Sequence, residues 1–234
     1  MINSLDNNYR PSKITKKKNI YILDTNEGKI VVKPNPKIDY NKLYKYLKSR
    51  SFSYIPNKID NERDIFLILE YQEDLSIDNH QKAADLIHLV ALLHSKTSYF
   101  KTVTTDSYKE IYDNIKNNID YAKYTYESYY NKFITKKYYN PSSYLFLRNY
   151  SLIYNAINYC YNKLDTWYQS IKDKNKERIA LIHNNLSLDH LIKNNEEYLI
   201  SWDNYTFDTP VLDLYTLYKN EWQNIDFKEI LNIY

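Results

Sequence analysis

Only one glycine occurs in the 234 residues, at position 28. Glycine takes a positive φ at little steric cost, so this chain has no glycine-rich loop and a single position where that freedom is cheap. Gly28 ends the turn segment Asp24-Thr25-Asn26-Glu27-Gly28. That segment separates two β-rich runs, Asn19-Ile-Tyr-Ile-Leu23 and Lys29-Ile-Val-Val-Lys33, and predicts a hairpin. Lys, Asn, Ile and Tyr are abundant, Tyr reaching 28. These residues use A- and T-rich codons, which points to an AT-rich genome rather than to a tyrosine-based chemistry. Most tyrosine rings are therefore expected in the core, with the hydroxyl near water or a partner.

The length allows one large domain or two small lobes, and 43% hydrophobic residues are enough for a core. The formal charge of +3, from 32 basic and 29 acidic residues, leaves no footprint for nucleic-acid binding. Lys16-Lys17-Lys18 reads as part of a solvated polar lead-in. The single cysteine, Cys160, cannot form an internal disulfide and is expected as a buried core thiol in a reducing compartment. Residues 1–10 lack the apolar stretch of a secretory signal, and no apolar run approaches the ~20 residues of a membrane span.

Along the chain, Pro34 and Pro36 end the second β-run, and Tyr40–Lys48 places Leu43, Tyr44, Tyr46 and Leu47 at helical spacing. Ile65–Glu70 reads as a buried strand. Asp78–His94 is an amphipathic helix with Ala84, Ile87, Leu89, Val90, Ala91 and Leu93 on its apolar side. Two Tyr- and Asn-rich helices are expected over 106–133 and 143–172, separated near Asn140-Pro141. Ile179–Ile182 and Tyr198–Trp202 read as short strands around a loop at Asn184–Leu191. A polar stretch, Asp203–Thr209, then leads into a helix from Pro210.

The late segment is the specific one. Leu181-Ile-His-Asn-Asn-Leu-Ser-Leu-Asp-His-Leu-Ile192 resembles the catalytic loop of the aminoglycoside phosphotransferase and choline kinase superfamily, roughly L-I-H-G-D-L-x-x-x-N-L-L. Tyr198-Leu-Ile-Ser-Trp-Asp203 is similar to its metal-binding strand, roughly I-D-W-D/E, and Asp208-Thr-Pro-Val-Leu-Asp-Leu214 to the following D-P-x-x-D-L. Arg10–Ser12 and Gly28–Lys33, with the helix ending Leu92-Leu93-His94, resemble the spore-coat-associated branch. The resemblance implies an α+β, two-lobed protein-kinase-like fold. The lead-in would be 1–18, the β-rich N-lobe 19–72 and the helical C-lobe 73–234. The family usually carries more helices beyond the position of Tyr234, so the chain reads as a shortened member.

The resemblance also assigns roles. Phosphoryl transfer needs positioned phosphates, metal ions and a group that orients the attacking hydroxyl. Lys33 and Glu70 fall at nucleotide-binding positions. The base position holds Asn185, whose neutral amide cannot take a proton. The metal positions hold His190, a poor ligand for Mg²⁺, and Ser201, which carries no charge. Between Tyr40 and Lys48 no glutamate is offered to Lys33, and Asp39 is the nearest acid. His183 and Asp213 match positions that hold the loop in shape by hydrogen bonds, and Trp202 and Asp208 also match. Singly, Lys33 reads as a solvated charge, His183 as a core histidine, and Asp203 and Asp208 as turn residues or a cap before Pro210.

The expectation is a pseudokinase, a non-catalytic binding or scaffold protein with a protein or small-molecule partner, in the cytoplasm or, in a spore former, the spore coat. The alternative is an ATP-dependent small-molecule phosphotransferase with a shifted metal site at Asp189 and Asp203. Asp203 would share a strand face with Ser201, and only this alternative calls for ATP and Mg²⁺. A helical protein with a chance match is the third reading.

Overall fold

Strand alternation decides which way the N-terminal residues face. In β3 (Gly28–Pro34) Val32 and Lys33 point to opposite sides of the sheet. β3 lies between β2 (Ile20–Thr25) and β4 (Phe66–Glu70), and β1 (Lys13–Lys17) pairs with β2, so the antiparallel order is β1-β2-β3-β4. Val32 sits across from Ile68 and joins Leu23 and Ile30 in a small core. Lys33 sits across from Leu67, which belongs to the larger core, and so shares the face turned toward it. The computed structural model describes residues 9–34, 38–59 and 66–234. Residues 1–8 of the lead-in, Pro36 and Ile65 lie outside the described residues.

β1 occupies part of the stretch that reads as a polar lead-in. It is exposed along its whole length, so no apolar alternation marks it. Lysines on such an edge disfavour further strand pairing. After β3, α1 (Tyr40–Ser49) starts at Asp39, whose side chain accepts the Lys42 N–H at 3.0 Å. It buries Tyr40, Leu43 and Leu47, one helical stripe. Ser51 follows at φ +55, a place that usually takes glycine. With one glycine in the chain, Arg10, Lys18, Ser51, Asn184 and Ser201 all adopt positive φ.

The larger core is centred on α2 (Asn79–Thr97), where Leu86, Ile87, Val90 and Leu93 are fully buried. β5 (Tyr99–Thr102) joins β6 (Lys176–Ile182) and β9 (Thr206–Asp208) in a second sheet. β7 (Leu191–Lys193) and β8 (Glu197–Leu199) form a hairpin, and α5 (Val211–Glu221) and α6 (Phe227–Ile233) complete the chain. The strand expected over Tyr198–Trp202 stops at Leu199. Ser201 is left-handed at φ +68, and Trp202–Asn204 form a 3-10 turn. Asp203 therefore does not share a strand face with Ser201. β9 falls in the stretch that reads as polar loop, because all three of its residues are exposed.

Two compact units emerge: one of residues up to Tyr99 with Arg178–Tyr234, the other Phe100–Glu177. The second is dominated by α3 (Thr105–Ile134) and α4 (Pro141–Ile171), with Asn140 capping α4 through the Ser143 N–H at 2.7 Å and Pro141 in its first turn. Ring pairs Tyr112–Tyr168, 4.7 Å apart, and Tyr130–Tyr150, 4.3 Å apart, fix the helices as antiparallel. Two expectations fail here. Cys160 is exposed rather than buried, and Tyr121, Tyr124, Tyr129, Tyr144, Tyr154 and Tyr159 are exposed too. A two-helix hairpin buries one seam per helix, so residues off that seam stay outside whatever their polarity. Among the described residues no helix is long and apolar enough to cross a membrane.

Gly28 sits at φ +123 with open space where a Cβ would project. Gly28→Ala therefore meets only the backbone penalty and should cost about 1–2 kcal/mol. Urea unfolding should show a lower midpoint at unchanged slope; an unchanged midpoint would refute the strained hairpin.

Candidate functional site

The loop between β6 and β7 is irregular and largely buried, so its backbone polar groups need partners. One face of α5 supplies them. Asp213, in the first turn of α5 and fully buried, accepts the His183 N–H at 2.8 Å and the Asn184 N–H at 2.6 Å. Asn184 is left-handed at φ +56, a conformation asparagine tolerates. Two turns further on, Asn220 donates to the Leu186 carbonyl at 2.7 Å and Glu221 accepts the Leu188 N–H at 2.9 Å. Residues 213, 217, 220 and 221 lie along one helical stripe, Leu217 adding apolar contact.

His94, in the last turn of α2, places Nε2 3.0 Å from Asp213. With Asp213 as the acceptor, Nε2 carries the proton, and Nδ1 accepts from the Tyr234 hydroxyl at 2.9 Å. Asp213 thus takes three hydrogen bonds, so the last turn of α2 and the loop meet at one carboxylate, and Tyr234 is joined to it through His94.

His183 lies under the loop. Its Nε2 is 2.7 Å from the Ile200 carbonyl, which can only accept, so Nε2 is the protonated nitrogen. Nδ1 is buried without a partner among the described residues. Burial pushes the imidazole down to about 4, against the smaller opposing effects of the Ile200 carbonyl and Asp213. Its ring packs on Trp202 at 5.0 Å, edge to face, and lies 5.6 Å from the His190 ring. His190 commits Nδ1 to the Asn185 carbonyl at 2.6 Å, and burial lowers its affinity for a proton as well.

On the other side, Lys33 reaches Asp203 as an ion pair, and the Tyr40 hydroxyl donates to the second Asp203 oxygen at 3.1 Å. Burial, then the Asp203 charge, raises the Tyr40 pKa, so the phenol stays protonated and remains a donor. Asp203 also acts on both histidine rings, as does Asp189 on His190. Lys18, in the β1–β2 turn, acts on His190 in the opposite sense.

The structure brings Lys33, His183, Asn185, His190, Ser201, Asp203 and Asp213 into one region. Asp189 is exposed on its 3-10 turn. Glu70 is exposed at the end of β4, bound to Asn57 at 2.9 Å, and takes no part in the Lys33–Asp203–Tyr40 group. Asp39 caps α1, and Asp208 bonds its neighbour Thr209. Tyr40, Asn220, Glu221 and Tyr234 were not singled out as site residues from sequence, and His94 entered only as the end of a helix motif. Only the 213/217/220/221 stripe carried a readable signal for any of them.

A hard divalent cation is the group that the family resemblance implies. Among the described residues no three His, Cys, Asp or Glu side chains are arranged to hold a metal. Ser201 brings a neutral hydroxyl, His190 an imidazole, and Asp203 a carboxylate already shared between an ammonium and a phenol. This donor set does not fit Mg²⁺, which selects charged and neutral oxygens in an octahedron.

Asp213→Ala would strand buried donors on the loop and on His94, so it should lower stability by about 3 kcal/mol. Asn185→Ala and Ser201→Ala should cost under about 1 kcal/mol. Thermal melts of the three variants make the comparison, and an Asp213 variant as mild as the other two would remove this carboxylate from its structural role. The depressed His183 pKa has a sign. Unfolded, a histidine binds a proton near pH 6.5; folded, His183 does so only near 4. Its contribution is complete above about pH 6.5 and is lost as pH falls toward 4, by up to about 1.4 kcal/mol per pH unit. His190 adds in the same direction. Melting temperatures at pH 7, 6 and 5 should fall, and more shallowly in His183→Gln; equal slopes would contradict a buried neutral imidazole.

No protein-family model and no curated protein matches the sequence. Solved structures do. An aminoglycoside phosphotransferase from Alicyclobacillus acidocaldarius superposes with a TM-score of 0.62 at 10% identity, over 87% of this chain and 65% of that one. LicA, solved in complex with AMP, gives 0.49 at 16% identity over 94% of this chain and 70% of its own. A choline/ethanolamine kinase family protein from Mesorhizobium loti gives 0.48 at 10% identity, over 95% and 69%. The chain thus spans about 65% of the length of the phosphotransferase it matches. The likeness to that phosphotransferase establishes a kinase-like α+β fold: a β-sheet N-terminal region and a mainly helical remainder.

Proposed function

We propose that this chain is a pseudokinase, a non-catalytic binding or scaffold protein on a phosphotransferase-like scaffold. The observation that carries the reading is the Asp203 carboxylate, held by both Lys33 and Tyr40. The lysine that would meet a nucleotide is neutralised from within, and the acid that would meet a cation is already satisfied. The resemblance places Asn185, His190 and Ser201 at the base and metal positions, and none of the three supplies the charge or basicity those tasks need. The Asp213 network that shapes the loop is intact. On this reading the N-lobe is 19–72 and the C-lobe 73–234. The motifs at Arg10–Ser12, Gly28–Lys33 and Leu92–His94 resemble the spore-coat-associated branch, and the proposed setting is the cytoplasm or, in a spore former, the spore coat.

A second reading, a phosphotransferase with a shifted metal site at Asp189 and Asp203, draws on one observation: both acids act on the His190 ring. Titration calorimetry with ATP separates the two. The expected result is a Kd weaker than about 1 mM, the same with and without Mg²⁺ or Mn²⁺. Micromolar, Mg²⁺-dependent binding that is lost in Asp189→Ala and Asp203→Ala but kept in Ser201→Ala would replace the pseudokinase by the shifted site.

A further inference from the structure

α6 has seven residues and one buried side chain, Ile230. A helix of that length does not hold itself together in water, so its shape depends on what it packs against. Its seat is on α2 and the larger core, which Ile230 joins and which Phe227 and Ile233 reach from partly buried positions. A polar attachment adds to this seat. Tyr234, directly after α6, donates its hydroxyl to His94 Nδ1 at 2.9 Å, and the two rings meet edge to face at 5.9 Å. Burial raises the pKa of this phenol, so it keeps the proton it donates.

His94 is fully buried, so each ring nitrogen needs a partner within the protein. With the phenol on Nδ1, the proton is fixed on Nε2, which faces Asp213 at 3.0 Å. Without the phenol, Nδ1 becomes a buried acceptor with no donor. Neither the other tautomer nor a flipped ring then satisfies both nitrogens, so the bond to Asp213 loses its support. The other two bonds of Asp213 go to the N–H groups of His183 and Asn184, the front of the loop. The back of the loop is held separately, by Asn220 at Leu186 and Glu221 at Leu188.

We propose that α6 is a conformational latch on the loop between β6 and β7. When α6 is seated, Tyr234 fixes His94, and His94 fixes the carboxylate that shapes the front of the loop. When α6 leaves its seat, the front loosens while the back keeps its own anchors. Asn185 follows directly on this front and its carbonyl is the partner of His190 Nδ1, so the latch reaches the candidate site. The device is independent of whether that site transfers phosphate.

Backbone hydrogen exchange, read by NMR on the full chain, separates a latch from ordinary loss of stability. In Tyr234→Phe the amides of His183 and Asn184 should exchange at least about 10-fold faster than in the parent, and the Leu188 amide at the parent rate. Asp226→Ala acts on α6 without touching the His94 chain, because the exposed Asp226 carboxylate caps the helix through the N–H groups of Lys228 and Glu229. It should speed the same two amides by about 3-fold or more and spare Leu188. Long-range ¹⁵N correlation should find the His94 proton on Nε2 in the parent. Equal acceleration at His183, Asn184 and Leu188 means that Tyr234 adds only to overall stability, and overturns the latch. So does an unchanged rate at His183 and Asn184 in either variant, or a parent with the His94 proton on Nδ1.

Discussion

The buried carboxylate of Asp213 is the interaction on which the candidate site depends. A carboxylate with no solvent exposure persists only when hydrogen bonds replace its water. Here two loop N–H groups and the His94 ring do so. The dependence is mutual. The loop passes through a left-handed Asn184 and cannot satisfy its own N–H groups by regular structure. Asp213 holds the front of the loop, and Asn220 and Glu221, later on the same helix, hold its back. The loop's shape thus follows from α5 more than from its own residues.

Opposite this frame, the site's charges are paired with one another. Lys33 arrives because strand parity turns it toward the larger core, and Tyr40 because it opens α1. Both meet Asp203, which Ser201 delivers by turning the chain left-handed straight after β8. Serine at that turn pays a conformational penalty that glycine would avoid. The histidines beneath are neutral through burial, so the region carries structural polarity with little net charge to spare for a phosphate or a cation. This self-satisfaction, on a kinase-like fold, is what supports the pseudokinase reading we propose.

The helical unit follows a different rule. Its two helices meet along a stripe of aromatic rings, and among the described residues of that stripe few are fully buried. Polar tyrosine hydroxyls let rings sit half in water, as where Tyr112 donates to Asp165 at 2.7 Å across the hairpin. Abundance of tyrosine thus permits a hairpin with little sealed core.

Local signals were sufficient for much of this protein. The turn at Gly28, the break at Asn140-Pro141, the helical spacing of Leu43, Tyr44, Tyr46 and Leu47, and the order of the buried strands and long helices are written in short-range spacing, because turns, caps and periodicity act within a few residues. The loop motif and Asp213 were legible as a pattern of residue types. The exposed strands β1, β5 and β9 were not, since neither face is buried and no alternation results. Cys160 and the outward tyrosines misled for a related reason: apolarity says that a residue can be buried, and only the packing says whether anything covers it. The tertiary structure alone decided that Lys33 and Tyr40 would meet Asp203, some 170 and 163 residues away, and that His94 would close on Asp213 and Tyr234 on His94. Such pairings join groups whose separation along the chain carries no period, and they exist only once two layers of the fold have met.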